Sequence, residues 1–142
     1  MSHDALEQLK WLYSSLSGIC LAVILTTLTL ESNVIDGSLP LQIAIVLFVI
    51  SLIIFSCFTI VHIAISGEKA NVEIGIVEGN LSIPWVKLLT SCAFMILYYA
   101  FFFLISHINI FFGLIYAVAS LLLLPLTNNF LKKLNLELQF FN

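Results

Sequence analysis

Long apolar segments, separated by short polar ones, dominate this chain of 142 residues. A helix needs about 20 consecutive apolar residues to cross the hydrocarbon of a bilayer. Two such segments lie in the first half of the chain, at residues 12–30 and 41–66, and neither contains a charged side chain. Both are predicted to be membrane-spanning helices. The first is expected to remain in the protein, because Asp4 and Glu7 precede it where a cleavable signal peptide would be basic.

A third apolar region runs from Trp85 to Leu126 and is too long for a single crossing. As one helix it would extend about 63 Å, roughly twice the thickness of the hydrocarbon. Its only polar interruption is the segment from Ser106 to Asn109. The pattern therefore predicts two helices, at residues 86–106 and 110–126, joined by a short hairpin. The predicted fold is an all-α, four-helix transmembrane bundle that forms a single membrane domain over residues 1–142.

The basic residues favour one orientation of these helices. All of them are lysines that fall at the same predicted membrane surface: Lys10, Lys69, Lys87, Lys132 and Lys133. Because lysine is enriched in cytoplasmic segments, both termini, the loop 67–84 and the tail 127–142 are predicted to be cytoplasmic. Trp11 and Trp85 lie at the same boundary, where tryptophan anchors well. We expect an integral protein of a bacterial inner membrane.

Two segments outside the predicted spans show an alternation of apolar and polar residues. Residues 71–83 alternate on both sides of a Glu78-Gly79-Asn80 turn, as in a β-hairpin. The tail 134–142 alternates too, although it also fits an amphipathic helix lying on the membrane. A small cytoplasmic β-sheet and an interfacial helix are therefore alternative hypotheses. The residues predicted to face a cytoplasmic or membrane protein partner are Glu73, Glu78, Leu136 and Leu138.

Small residues predict where the helices pack. In the first span they recur every four residues, at Ser14, Gly18, Ala22 and Thr26. The fourth span repeats this pattern at Gly113 and Ala117. Such stripes let helix backbones approach closely in lipid. Two interpretations follow: packing within the bundle, or an interface between subunits of a homo-oligomer.

Polar side chains inside the spans are the other candidate site residues, because polar groups in the membrane often have a function. They are Thr26, Thr27, Tyr98, Tyr99 and Tyr116. We expect their hydroxyls to form hydrogen bonds across helices, and a ligand or ion contact is the alternative.

Composition narrows the class of protein further. Hydrophobic residues make up 61% of the chain and charged residues 9%, whereas soluble domains carry about 25% charged residues. This excludes a soluble enzyme and a disordered tail. Arginine is absent and the net charge is −3, which argues against nucleic-acid binding. The three cysteines lie in apolar segments without metal or redox spacing.

Asp, Glu, Lys and Arg are missing from the interiors of the predicted spans, although coupled transporters and proton relays normally place such groups there. His62 and His107 are predicted at opposite membrane surfaces and so cannot share a haem or a metal ion within one chain. No hydrolase or phosphate-loop motif occurs. We therefore expect no catalytic residues, no cofactor and no metal site.

In span number and orientation, this arrangement resembles small four-helix membrane proteins. Examples are immunity proteins against pore-forming bacteriocins and membrane subunits of anti-phage defence systems such as Kiwa. The uncharged spans, the stripes of small residues and the acidic loop 67–84 favour a non-enzymatic, oligomeric membrane protein that acts as a sensor or regulatory subunit. The resemblance adds the expectation of a defence or immunity-type subunit. The alternative hypothesis is an oligomeric pore or holin-like channel lined by hydroxyl groups.

Overall fold

The computed structural model describes residues 3–67 and 84–133, and within these ranges the chain is almost entirely helical. The helices are α1 (His3–Leu28), α2 (Ser32–Asp36), α3 (Leu39–Gly67), α4 (Pro84–Ile108) and α5 (Ile110–Lys133). No strand occurs in the described residues. The predicted β-hairpin at 71–83 and the tail 134–142 lie outside them, as do Glu73, Glu78, Leu136 and Leu138.

Three helices are long and apolar enough to cross a membrane. They are Glu7–Leu28, Leu39–Ile63 and Pro84–Ile108, which correspond to the first three predicted spans. The helical fold and these three candidate spans are therefore confirmed. The apolar part of α5 is shorter, covering Ile110–Leu123, or about 21 Å of helix. A fourth crossing and the four-span topology remain predictions.

The long helices are arranged around α3. Among the described residues, α1 and α4 both pack along α3, whereas α5 packs along α4. The short helix α2 contacts the start of α3. The side chain of Gln42 in α3 donates hydrogen bonds to backbone carbonyls of α2. The described helices thus form an open row with α3 between α1 and α4, and closure into a four-helix bundle is not confirmed.

The buried face of α3 recurs at alternating intervals of three and four residues. Its buried positions are Leu41, Ala44, Phe48, Ser51, Phe55 and His62. Helix α4 presents a matching set, Thr90, Ala93, Leu97 and Ala100. This spacing is typical of coiled-coil packing, in which side chains of one helix fill the gaps between side chains of the next. The alanines and the serine let the backbones approach, which stabilises helix association in lipid.

Aromatic rings fill the remaining space between the helices. Phe48 of α3 meets Phe101 of α4 edge-on, with ring centroids 5.1 Å apart. Phe55 likewise contacts Phe94 of α4 at 5.6 Å. Edge-to-face pairs of this kind are favourable beyond the area that they bury. The interior of the described row is therefore filled by side chains.

The turn between α4 and α5 is a single residue, Asn109, inside the polar segment where the sequence predicts the break. Its backbone N–H donates to the Ile105 carbonyl at 3.2 Å, which completes the last turn of α4. Its side-chain oxygen accepts a hydrogen bond from the Phe111 N–H at 2.9 Å and so caps the start of α5. Asparagine can end one helix and begin the next because its short side chain supplies this acceptor.

Gly113 permits the close approach of α5 to α4 just beyond this turn. A Cβ atom at Gly113 would meet the Ser106 hydroxyl and would lie 3.1 Å from the Ser106 Cβ and 3.3 Å from its Cα. The Cα is backbone and can yield only if the helices separate. Gly113 is thus a contact between helices of the same chain.

We expect Gly113→Ala to lower the free energy of unfolding by about 1–3 kcal/mol, the usual cost of overpacking. Gly18→Ala is the matched control, because no atom lies within 4 Å of the position of its added Cβ. Unfolding both variants in lipid by steric trapping measures the difference. Equal stability of the two variants would contradict the close helix approach at Gly113.

Candidate functional site

The stripe of small residues on α1 faces away from the rest of the described chain. Ser14, Gly18, Ala22 and Thr26 are all exposed. The added Cβ at Gly18 would meet open space. No described helix packs on this stripe, and its use as an interface between subunits stays a prediction. We call these four residues the α1 outer face.

Helix α1 packs on α3 through a different set of residues. Tyr13, Cys20 and Thr27 are buried and recur every seven residues. The partly buried side chains that fill the intervals include Leu16, Val23 and Ile24. This buried face was not predicted, although the heptad spacing of its three residues is a signal for helix packing.

One hydrogen bond between side chains joins α1 to α3. The hydroxyls of Ser17 and Ser56 lie 2.8 Å apart, and either can be the donor. Both residues are partly buried. Serine hydroxyls that bond each other across helices in lipid contribute about 0.6 kcal/mol on average. This pair was not predicted, because no spacing within one segment relates Ser17 to Ser56.

The threonines predicted to bond across helices bond their own helix instead. The Thr26 hydroxyl donates to the Ala22 carbonyl at 2.8 Å, and the Thr27 hydroxyl donates to the Ile24 carbonyl at 2.8 Å. Such bonds satisfy the hydroxyl where no external partner is available. The Thr26 hydroxyl is therefore already hydrogen-bonded within α1, where Thr26 belongs to the α1 outer face.

The three predicted tyrosines form a cluster where α4 meets α5. The rings of Tyr98 and Tyr116 stack with centroids 5.3 Å apart and an interplanar angle of 24°. Tyr99 contacts Tyr98 edge-on at 5.4 Å and remains 47% exposed. The structure thus brings Tyr98 and Tyr116 together in helix packing, while Tyr99 lies at the surface. Ala117 is half-buried on the same helix as Tyr116.

His62 is the most deeply buried ionisable side chain described at the end of the molecule where α1 and α4 begin. It is 2% exposed, and its ring lies 5.2 Å from that of Tyr13. Its Nδ1 is 2.8 Å from the Phe58 carbonyl, which can only accept, so Nδ1 carries the proton. The Nε2 atom has no hydrogen-bond partner among the residues that the structure describes. Beside it, the Tyr13 hydroxyl lies near the side chain of Thr90 on α4, whose own hydroxyl donates to the Val86 carbonyl at 2.9 Å.

The opposite end of α3 is closed by polar contacts. The hydroxyl of Ser38 lies 2.6 Å from Nδ1 of His107, which joins the start of α3 to the end of α4. Gln42 donates to the carbonyls of Ile35 and Asp36, both at 3.1 Å. His107 and His62 are thus at opposite ends of α3, about 36 Å apart along the helix axis. They cannot bind one metal ion or haem within a chain.

Metal sites need several ligating side chains close together, but no group of three or more His, Cys, Asp or Glu side chains comes together among the described residues. Cys20 is buried, Cys57 and Cys92 are exposed, and all three are free thiols. Comparison with known proteins finds no matching family model, no similar curated protein and no similar solved structure.

We expect the hydroxyl pair of Ser17 and Ser56 to show a coupling energy of about 0.6 kcal/mol in a double-mutant cycle of serine-to-alanine variants. The measurement is the free energy of unfolding of the two single variants and the double variant in lipid. Ser14→Ala, an exposed serine one turn away, should show no coupling to Ser56→Ala. Zero coupling in the Ser17 cycle would refute the bond.

Proposed function

We propose that this protein is a non-enzymatic, integral membrane protein that forms homo-oligomers through the α1 outer face. In this proposal it acts as a sensor, regulatory or immunity-type subunit, with both termini in the cytoplasm. The observation that supports it best is that Ser14, Gly18, Ala22 and Thr26 are exposed on an apolar helix whose other face is already used for packing.

The α1 outer face has the properties of a helix–helix interface in lipid. Its side chains are small, and Gly18 leaves the backbone open to an approaching helix. The Thr26 hydroxyl is satisfied within its own helix, so burying it leaves no unpaired donor. Because lipid is as apolar as leucine, association in a membrane depends on such close packing. A second copy of α1 offers the same surface and is self-complementary about a twofold axis.

The four-span topology is part of the proposal. The apolar segment 110–126 would extend about 26 Å, which local thinning of the bilayer accommodates. A fourth crossing returns Lys132 and Lys133 to the surface where Lys10 lies, as the preference of lysine for the cytoplasm requires. The proposed cytoplasmic partner surface is the loop 67–84 with the tail 127–142.

We expect Gly18→Leu to weaken self-association on the order of tenfold, because the added side chain holds the backbones apart. The measurement is the monomer–oligomer equilibrium of the full chain in bilayers, followed by single-molecule photobleaching at varied protein density. Ala119→Leu is the control, since Ala119 is also a small exposed residue of an apolar helix but lies on α5, outside the α1 outer face. Equal association of both variants would contradict the proposed interface.

The same variants separate a regulatory oligomer from a pore. Expression in cells stained with a membrane-potential dye should leave the potential intact if the protein is a regulatory subunit. Rapid depolarisation that Gly18→Leu abolishes would instead favour the pore, with Ser14 and Thr26 facing its lumen.

For the topology, we expect a fluorescent protein fused after Asn142 to fluoresce and alkaline phosphatase fused there to be inactive, because the C-terminus is proposed to be cytoplasmic. Fusions after Gly37, in the connection between α1 and α3, are the control and should show the reverse. Active phosphatase at both positions would mean that α5 does not cross the membrane.

A further inference from the structure

Lys10 and Trp11 form a paired cation and indole near the start of the first candidate span. The Lys10 ammonium lies 5.9 Å from the centre of the Trp11 ring, within the range of a cation–π interaction. Trp11 is 64% exposed, so the pair lies on the outside of the molecule.

A second exposed tryptophan lies at the same end of the molecule, where α4 begins. Trp85, 62% exposed, is the second residue of α4. The contact of Tyr13 with Thr90 brings the beginnings of α1 and α4 to the same level. Large indoles exposed at one level on two apolar helices are typical of the boundary between hydrocarbon and headgroups.

The charge of Lys10 is not neutralised by the described part of the protein. Among the side chains that the structure describes, no carboxylate forms an ion pair with it. Glu7, one helical turn earlier, is exposed and does not pair with it. The ring of Trp11 meets only one side of the ammonium, so its remaining N–H groups are available to an anion.

We propose that Lys10 and Trp11 form a contact site for the phosphate of an anionic phospholipid headgroup. The ammonium binds the phosphate oxygens, and the indole holds the ammonium at headgroup depth. The charge is complementary to the negative surface of the cytoplasmic leaflet. This inference rests on the proposed membrane location of the chain, and it adds a preference for one class of lipid at one position.

Quenching by brominated lipids tests the site in the full chain. The protein carries Trp85→Phe, so that Trp11 is its only tryptophan. It is reconstituted in phosphatidylcholine vesicles that contain a minor fraction of phosphatidylglycerol. Two vesicle preparations of the same lipid composition are compared, one with brominated phosphatidylglycerol and the other with brominated phosphatidylcholine. We expect phosphatidylglycerol to quench Trp11 about fivefold more per molecule than phosphatidylcholine does, the factor for one lysine at an anionic surface.

Lys10→Gln should remove that preference, so that both brominated lipids quench Trp11 equally per molecule. The control is the Trp11→Phe protein, in which Trp85 quenching should not change with Lys10→Gln. Equal quenching of Trp11 by both lipids in the presence of Lys10, or an unchanged preference in Lys10→Gln, would overturn the headgroup site. Absence of quenching at both tryptophans by either lipid would instead refute the membrane location itself.

Discussion

The packing of α1 and α4 against α3 is the interaction on which the rest of the structure depends. Among the described helices, α1 packs along α3, and α5 packs along α4 rather than along α3. Small residues such as Ala44 and Ser51 bring the backbones together, and Phe48 and Phe55 fill the space between them. In lipid this shape complementarity is the main force available, because apolar area alone does not favour protein contact over lipid contact.

This arrangement leaves each outer helix with a free side, and the two free sides differ in chemistry. The free side of α5 carries large apolar residues such as Phe111, Leu114 and Leu121, which suit contact with acyl chains. The free side of α1 also exposes Leu21 and Leu25, but the small residues of the α1 outer face recur every four residues among them. Small side chains offer lipid little area, but they allow another backbone to approach. This difference makes α1 the better candidate for self-association.

Helix positions were predictable from the sequence because they depend on local properties. The lengths of the apolar segments and the polar break at Asn109 predicted α1, α3, α4 and the start of α5. The direction in which each helix faces was not predictable in the same way. Gly18 and Cys20 are both small residues in repeating patterns on α1, yet only Cys20 is buried. In a helix that is apolar on all sides, hydrophobicity does not determine which face is buried. The buried face depends instead on how well each face fits the side chains of α3.

The two ends of the molecule differ in the polar groups that the described chain leaves unpaired. At the hairpin end, Ser38 bonds His107 and Asn109 caps α5, while the buried hydroxyl of Ser106 has no hydrogen-bond partner among the described residues. At the other end, Nε2 of the buried His62 has no partner among the described residues, and the ammonium of Lys10 pairs with no carboxylate there. Unpaired polar groups are costly when buried and available for binding when exposed. Of these groups, the Lys10 ammonium belongs to a pair on the outside of the molecule, and interaction with a lipid headgroup is therefore expected at this position.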